Sequence, residues 1–198
     1  MELVLATGNR GKLAEIEAMC APWGIEVVTA ASLGFTEDVA ETGDTFEDNA
    51  RLKAVAVSQA LNRPALADDS GLVVEALNGA PGVHSARYAG EHGDDAANSA
   101  KLLTEMIGVP PQQRAAAFVC VMLCRRPDGA ELVARGRLQG RIAPAPAGHN
   151  GFGYDPVFLL PDRGLTVAQL SAADKNAISH RGQALAKLAQ ELRGFLGG

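Results

Sequence analysis

The sequence predicts an α/β fold in which helices flank a mixed β-sheet. Short apolar runs that suit strands alternate along the chain with segments whose apolar residues recur at helical spacing. An apolar run at 115–125 and a second segment at 131–142 flank the turn residues Pro127-Asp128-Gly129, which predicts an antiparallel hairpin. Because no internal repeat or linker interrupts the pattern, we expect a single domain over residues 1–198.

The first half of the chain predicts strands at 2–6 and 25–28, separated by a glycine loop and a helix that Pro22 ends. Residues 32–44 are polar and irregular, which is typical of a loop. Thr45 and Asp48 form a capping signal that opens a helix ending near Leu61. A strand at 65–67 then leads into Asp68-Asp69-Ser70-Gly71, and a separate strand follows at 72–77.

The second half predicts a helix over 94–107, the hairpin, and a short strand at 157–160. Between the hairpin and that strand lies a loop rich in glycine and proline. A final amphipathic helix is predicted over 181–196, and its apolar face consists of four leucines: Leu185, Leu188, Leu192 and Leu196.

Composition excludes several classes of protein. The apolar fraction of 47% is that of a globular chain and too high for a disordered one. A net charge of −5 argues against sequence-independent nucleic-acid binding, which needs a basic face. Three cysteines (Cys20, Cys120 and Cys124) are too few for a disulfide scaffold and predict reduced core residues. No apolar run reaches the roughly 20 residues of a membrane span, and Met1-Glu2 lacks a basic leader, so we expect a cytoplasmic protein without a membrane partner.

The first candidate site is the loop between the first strand and the first helix. Such a loop directs backbone N–H groups and the positive helix end towards an anion. It matches neither the Walker A nor the dinucleotide pattern, and the GxxG of a KH domain should join two helices rather than follow a strand. Phosphate binding and a tight turn that requires glycine both remain open on this loop alone. Its residues are Thr7, Gly8, Asn9, Arg10, Gly11 and Lys12.

The second candidate is the acidic pair Asp68-Asp69. Two adjacent carboxylates with no basic residue beside them in sequence repel by roughly 4 kcal/mol at about 4 Å, at an effective dielectric near 20. A hard cation such as Mg²⁺ would relieve that repulsion. Neighbouring side chains on a regular strand face opposite ways, so we expect only one to reach the site. A polar turn is the competing interpretation, and Glu41 could add a third carboxylate.

Two further segments carry groups suited to a flat, polar ligand. The run 150–156 places Phe152 and Tyr154 among glycines, which would let a base stack on an aromatic ring, but core packing is the alternative. The run 175–182 gathers Lys175, His180 and Arg181 just before the last helix, with Ser179 or Asn176 as a potential N-cap. Neither a Ser/His/Asp triad nor zinc-ligand spacing is present in the sequence.

Together these blocks resemble the inosine triphosphate pyrophosphatase family, also called Ham1-like. The blocks occur in order from Leu3 to about Leu192: T-G-N-x-x-K, E-T-G, D-D-S-G-L, G-A-P-G, F-G-Y-D-P and S-H-R-G-x-A. The resemblance implies an elongated mixed sheet flanked by helices, with two lobes around a central substrate cleft, usually in a homodimer. It also implies Mg²⁺-dependent hydrolysis of noncanonical purine triphosphates (dITP, ITP and XTP) to the monophosphate and pyrophosphate.

Carried over by position, the resemblance implies a role for each candidate residue. Asp69 would be the proton acceptor, and Glu41 and Asp69, with Asp68 close by, would hold the metal. The substrate would be bound by Thr7, Gly8, Asn9, Arg10, Gly11, Lys12, Ser70, Phe152, Gly153, Tyr154, Asp155, Lys175, His180 and Arg181. Donors that read a keto oxygen at the six-position would reject adenine. The alternatives are a Maf-like pyrophosphatase with another base preference and a non-enzymatic nucleotide-binding module.

Overall fold

The computed structural model describes residues 2–197, which form seven strands and five α-helices joined by short 3₁₀ turns. The strands are β1 (Glu2–Ala6), β2 (Glu26–Thr29), β3 (Ala65–Val74), β4 (Ala115–Arg125), β5 (Glu131–Ile142), β6 (Phe158–Leu160) and β7 (Leu165–Thr166). The helices are α1 (Arg10–Cys20), α2 (Phe46–Leu61), α3 (Asp95–Glu105), α4 (Ala172–Ile178) and α5 (His180–Gly197).

The strands form one sheet in the order β2-β1-β3-β4-β5-β6-β7. β1 pairs in parallel with both β2 and β3, whereas β6 pairs antiparallel with β5 and β7. Parallel neighbours require crossover connections: α1 connects β1 to β2, and α2 lies in the connection from β2 to β3. The sheet is therefore mixed, and the predicted α/β class is confirmed.

The chain divides into two compact units. The first unit contains residues 2–69, 120–136 and 181–197, and the second contains residues 70–119 and 137–180. The expectation of one domain over residues 1–198 stays a prediction. No helix within residues 2–197 is long and apolar enough to cross a membrane.

The first unit packs helices on both faces of its strands because β1 alternates between them. Leu3 and Leu5 lie in a cluster with residues of α1 and α5, whereas Val4 and Ala6 pack against α2. Residues i and i+2 of a strand share a face, so a continuously apolar strand is buried on both sides. The three cysteines are free and buried, as predicted, and Cys20, Cys120 and Cys124 all belong to the cluster on the α1 side.

The second unit has a core of its own. Leu72 and Val74 from β3 meet Phe118 from β4, Phe158 from β6 and Leu102 from α3 in one buried cluster. The rings of Phe118 and Phe158 stack with their centroids 4.3 Å apart. Aromatic pairs at this separation add to the free energy of burial.

Two predicted elements differ from the structure. The segment Asp68-Asp69-Ser70-Gly71 is not a turn, since β3 runs without a break from Ala65 to Val74. Lys175 and Asn176 do precede the last helix, as predicted, but they lie on a separate short helix, α4, which the sequence pattern did not reveal. Asn176 lies inside α4 and is therefore not an N-cap. Ser179 is the C-cap of α4 and immediately precedes α5 with an extended backbone, which is the position predicted for an N-cap of the last helix.

Candidate functional site

The candidate residues fall into two groups, one in each unit. The first unit holds Thr7, Gly8, Asn9, Arg10, Gly11, Lys12, Glu41, Asp68, Asp69 and Arg181. The second unit holds Ser70, Phe152, Gly153, Tyr154, Asp155, Lys175 and His180.

The predicted phosphate loop connects β1 to the N-terminus of α1. Asn9 is the N-cap, and its Oδ1 accepts the Lys12 N–H at 3.0 Å. Gly8 is exposed and has an ordinary φ, and a Cβ placed there would meet no atom within 4 Å. The turn itself therefore does not require glycine at position 8, which favours phosphate binding over the tight-turn interpretation. A strand precedes the loop, unlike the GxxG of a KH domain.

Asp68 is held between two cations and contributes nothing to the surface. Its carboxylate lies 2.5 Å from Lys12 Nζ and 3.2 Å from Arg181 Nε, and its side chain is 0% exposed. Arg181 is itself buried and also pairs with Glu15 at 2.5 Å. Burial alone would raise the pKa of Asp68, but the charges of Arg181 and Lys12 outweigh it and hold that pKa well below its usual value.

Cys120 completes the surroundings of Asp68. Its Sγ lies 2.9 Å from Asp68 Oδ2. Burial and the Asp68 charge raise the pKa of the Cys120 thiol well above normal, so it stays protonated and donates the hydrogen bond. Cys120 is therefore a polar partner as well as the small apolar residue that the sequence predicted.

Asp69 lies in a different environment although it is the next residue along β3. Its Oδ1 accepts a hydrogen bond from Lys53 Nζ at 2.8 Å, and the same ammonium contacts Glu41 Oε1 at 2.8 Å. Burial raises the pKa of Asp69 above its usual value, although Lys53 and Lys12 partly offset that effect. The expected alternation along the strand is thus observed, since Asp68 and Asp69 have different side-chain partners.

Lys53 is a residue of this cluster that sequence reasoning missed: no basic residue lies beside the acidic pair in sequence, but Lys53 contacts Asp69 in the structure. Burial disfavours its ammonium, but Asp69 and Glu41 outweigh burial and raise the pKa of Lys53. The signal was present in the sequence, because Lys53 lies one position before Ala54 on a helix whose buried face includes Ala50 and Ala54. A lysine whose ammonium is buried needs a partner of opposite charge.

In the second unit, Phe152 lies in a turn that an ion pair holds in place. Asp155 Oδ2 accepts the Phe152 N–H at 2.9 Å and lies 2.5 Å from Lys175 Nζ. Lys175 Nζ also lies over the Phe152 ring, 4.5 Å from its centroid, in a cation–π contact. At Gly151, φ is +77° and a Cβ would lie 2.0 Å from Asp155 Oδ2, so only glycine fits.

The two aromatic residues of this turn, Phe152 and Tyr154, differ in burial. Tyr154 is buried in the core of the second unit, where its hydroxyl donates to Ser85 O at 2.8 Å. Phe152 is only partly buried and lies outside that core cluster. Core packing is thus the role of Tyr154, whereas stacking of a base on Phe152 stays a prediction.

The remaining candidates in the second unit are less accessible. His180 is 6% exposed, and its ring stacks on Phe118 with centroids 4.9 Å apart. Ser70 is partly buried on β3, and the Gly153 N–H donates to Asp95 Oδ2 at 2.7 Å. The substrate-binding roles assigned to these residues stay predictions.

Comparisons with known proteins show the family of this chain. A family model described as the Ham1 family matches residues 3–191. The chain is 53% identical over 197 residues to a dITP/XTP pyrophosphatase of Geobacillus kaustophilus. The aligned region covers 100% of this chain and 97% of that protein. It is similar to the structure of the Staphylococcus aureus Ham1 protein (TM-score 0.87, 45% identity, 98% of this chain and 99% of that one). It is also similar to a HAM1 protein from Coxiella burnetii (TM-score 0.88, 42% identity, 98% and 99%). The chain belongs to the Ham1 family.

Proposed function

We propose that this chain hydrolyses the purine triphosphates dITP, ITP and XTP to the corresponding monophosphate and pyrophosphate. The observation that carries the proposal is the convergence of Glu41 and Asp69 on one cationic centre, the Lys53 ammonium, with 2.8 Å to each carboxylate. The dITP/XTP pyrophosphatase activity named for the Geobacillus kaustophilus relative supports this choice of substrates.

The donor set in the first unit fits Mg²⁺. Glu41 and Asp69 would hold the ion, because Mg²⁺ in proteins is bound by one or two carboxylates and completes its shell with water and phosphate oxygens. Among residues 2–197 there is no cluster of three or more His, Cys, Asp or Glu side chains suited to a metal, so the substrate phosphates would complete the site. When bound, the ion would supply the positive charge that phosphoryl transfer needs and would acidify a nearby water.

Residues of the chain would accept the proton and bind the triphosphate. Asp69 would accept the proton of the attacking water. The loop from Thr7 to Lys12 would bind the triphosphate through its N–H groups and the positive end of α1. Asp68 is occupied by Lys12 and Arg181, which favours a role in holding these cations over metal binding.

The base would bind to the second group of residues. Phe152 would stack on the purine, in a turn shaped by Gly153, Tyr154 and Asp155. In this group Lys175 and His180 would supply positive charge and hydrogen-bond donors for a base with a keto oxygen at the six-position. Arg181, predicted to share this role, belongs to the first group, where it pairs with Asp68 and Glu15. A donor left unpaired by the amino group of adenine would account for rejection of that base.

The substrate proposed here also suggests where the protein acts and with which partners. We expect the protein to act on free nucleotides in the cytoplasm, without nucleic acid as a partner. We also expect a homodimer, as implied for members of this family.

Release of pyrophosphate from a panel of triphosphates, with Mg²⁺ and with EDTA, tests the proposal. We expect cleavage of dITP and XTP in Mg²⁺, loss of activity in EDTA, and a preference for dITP over dATP that approaches about 10⁴-fold. Equal rates on dITP and dATP would contradict the proposal. A preference for another base would favour a Maf-like pyrophosphatase, and nucleotide binding without any pyrophosphate release would favour a binding module.

A further inference from the structure

The segment that carries Glu41 has no regular secondary structure. Residues 35–43 form neither helix nor strand between the 3₁₀ turn at Ala31–Leu33 and α2. A carboxylate on such a segment needs other contacts to keep its position. Lys53 Nζ, 2.8 Å from Glu41 Oε1, holds the side chain, but this contact does not fix the backbone.

Asn49 provides the backbone contact. It lies in the first turn of α2 and is 0% exposed, and its Oδ1 accepts the Gly43 N–H at 2.8 Å. Gly43 is two residues from Glu41. The Asn49 side chain thus attaches the acidic segment to the helix, close to the carboxylate that the proposed function assigns to the metal.

Of the two polar atoms of the Asn49 amide group, the oxygen accepts a hydrogen bond and the nitrogen is unsatisfied among the described residues. Within residues 2–197, its buried Nδ2 has no hydrogen-bond partner. An unsatisfied buried donor costs free energy, which an apolar residue at this fully buried position would avoid. The contact with Gly43 is what the asparagine contributes in this structure.

Gly43 fits tightly against the start of α2. A Cβ at position 43 would lie 2.5 Å from Asp48 Cβ and 2.8 Å from Asn49 Oδ1. Because the first of these atoms is fixed to the helix backbone, any larger residue would push the segment away from α2. The hydrogen bond from Gly43 N–H to Asn49 Oδ1 therefore requires that Gly43 lie close to α2, which only glycine allows.

Asn49 and Lys53 are four residues apart, so they lie on the same side of α2, one turn from each other. The helix consequently holds the acidic segment at two points, the backbone through Asn49 and the Glu41 carboxylate through Lys53. We propose that Asn49 is a positioning residue that places Glu41 for metal binding. This inference rests on the proposed function, since it assumes that Glu41 binds the metal.

The test measures metal binding separately from nucleotide binding. Mn²⁺ affinity is followed by electron paramagnetic resonance without nucleotide, and KM for dITP is measured at saturating Mg²⁺. We expect Asn49→Ala to weaken Mn²⁺ binding and raise the Mg²⁺ concentration for half-maximal activity by about 10–100-fold, the usual effect of losing a group that orients a metal ligand. KM for dITP at saturating Mg²⁺ should change little.

Ser58→Ala is the matched control, because Ser58 is also a fully buried polar residue of α2 and its hydroxyl donates within the same helix, to Val55 O. It should leave both metal readouts unchanged. Gly43→Ala keeps the Asn49 side chain and displaces the segment instead, so it should reproduce the metal defect even if Asn49→Ala fails to fold. Normal metal affinity in a folded Asn49→Ala or Gly43→Ala protein would overturn the inference.

Glu41→Gln separates this inference from the proposed function. If Glu41→Gln weakens Mn²⁺ binding while Asn49→Ala does not, the positioning role is wrong and the metal site stands. If Glu41→Gln also binds Mn²⁺ normally, the proposed metal site itself is wrong.

Discussion

Asp68 and Asp69 are consecutive residues of one strand, yet the structure gives them opposite electrostatic environments. Asp68 has two cations within bonding distance and a depressed pKa. Asp69 shares one ammonium with a second carboxylate and has a raised pKa. The first arrangement balances charge and stabilises the fold, whereas the second leaves one carboxylate in excess and suits cation binding and proton transfer. Because successive side chains of a strand point to opposite faces of the sheet, two adjacent aspartates can have these two different roles.

The largest expected effect is on turnover when Asp69 is changed. Asp69→Asn should lower kcat on dITP by about 10²–10⁴-fold, the usual contribution of a general base. The fold should survive, because Lys53 keeps Glu41 as its counter-ion. Steady-state kinetics and circular dichroism measure the two outcomes. Asp162→Asn, a change at an exposed aspartate, is the control, and turnover near the wild-type rate in Asp69→Asn would remove Asp69 from the mechanism.

Asp68→Asn should act mainly on stability. Removing this carboxylate takes a buried counter-charge from both Lys12 and Arg181 and leaves Arg181 with Glu15, and breaking a buried ion pair costs about 3–5 kcal/mol of the free energy of unfolding. Denaturant unfolding at pH 7 measures the loss. If Asp68→Asn were as stable as the wild type, the interpretation of Asp68 as a structural charge would fail.

A similar contrast between near neighbours occurs in the second unit, between Phe152 and Tyr154. Phe152→Ala should raise KM for dITP about tenfold or more, because stacking on a base is worth about 1–3 kcal/mol. Phe195→Ala is the matched control, since Phe195 is also partly buried beneath a cation, Arg126, with 5.7 Å from guanidinium carbon to ring centroid. A change in melting temperature without any change in KM would instead make Phe152 a packing residue.

The smallest effect is a pH dependence that has opposite sign at the two aspartates. The Asp68 pKa is lower in the folded than in the unfolded chain, so its stabilising contribution is complete above about pH 4 and is lost as pH falls through the folded pKa. The Asp69 pKa is raised, so its charged form destabilises the fold at neutral pH, and this cost disappears as pH falls through the raised value.

Unfolding curves between pH 7 and pH 3 without divalent ions can separate these contributions. The stability difference between wild type and Asp68→Asn should shrink only in the acid range. Asp69→Asn should be equal to or more stable than wild type at pH 7, by on the order of 1 kcal/mol per unit of pKa shift removed. A loss of stability in Asp69→Asn at neutral pH would contradict the excess of negative charge inferred around Lys53.

Much of the fold could be predicted because its signals are local. The ends of β4 and β5, the capping of α2 by Thr45, and the halt of α1 before Pro22 follow from apolar patterning and turn residues. The continuous strand β3 could not be predicted, since two adjacent carboxylates normally favour a turn. Lys12, Arg181 and Lys53, which come from three distant parts of the sequence, compensate the charges of those carboxylates and allow the strand to continue.

The sequence by itself determined the alternation of strands and helices, the acidic pair, the glycine loop and the aromatic turn, because each depends on residues close together in the chain. Only the tertiary structure decided which carboxylate is balanced and which is in excess, and that Lys53 and Asn49 hold Glu41. Electrostatic and hydrogen-bond energies depend on distances between residues far apart in sequence, and folding alone sets those distances.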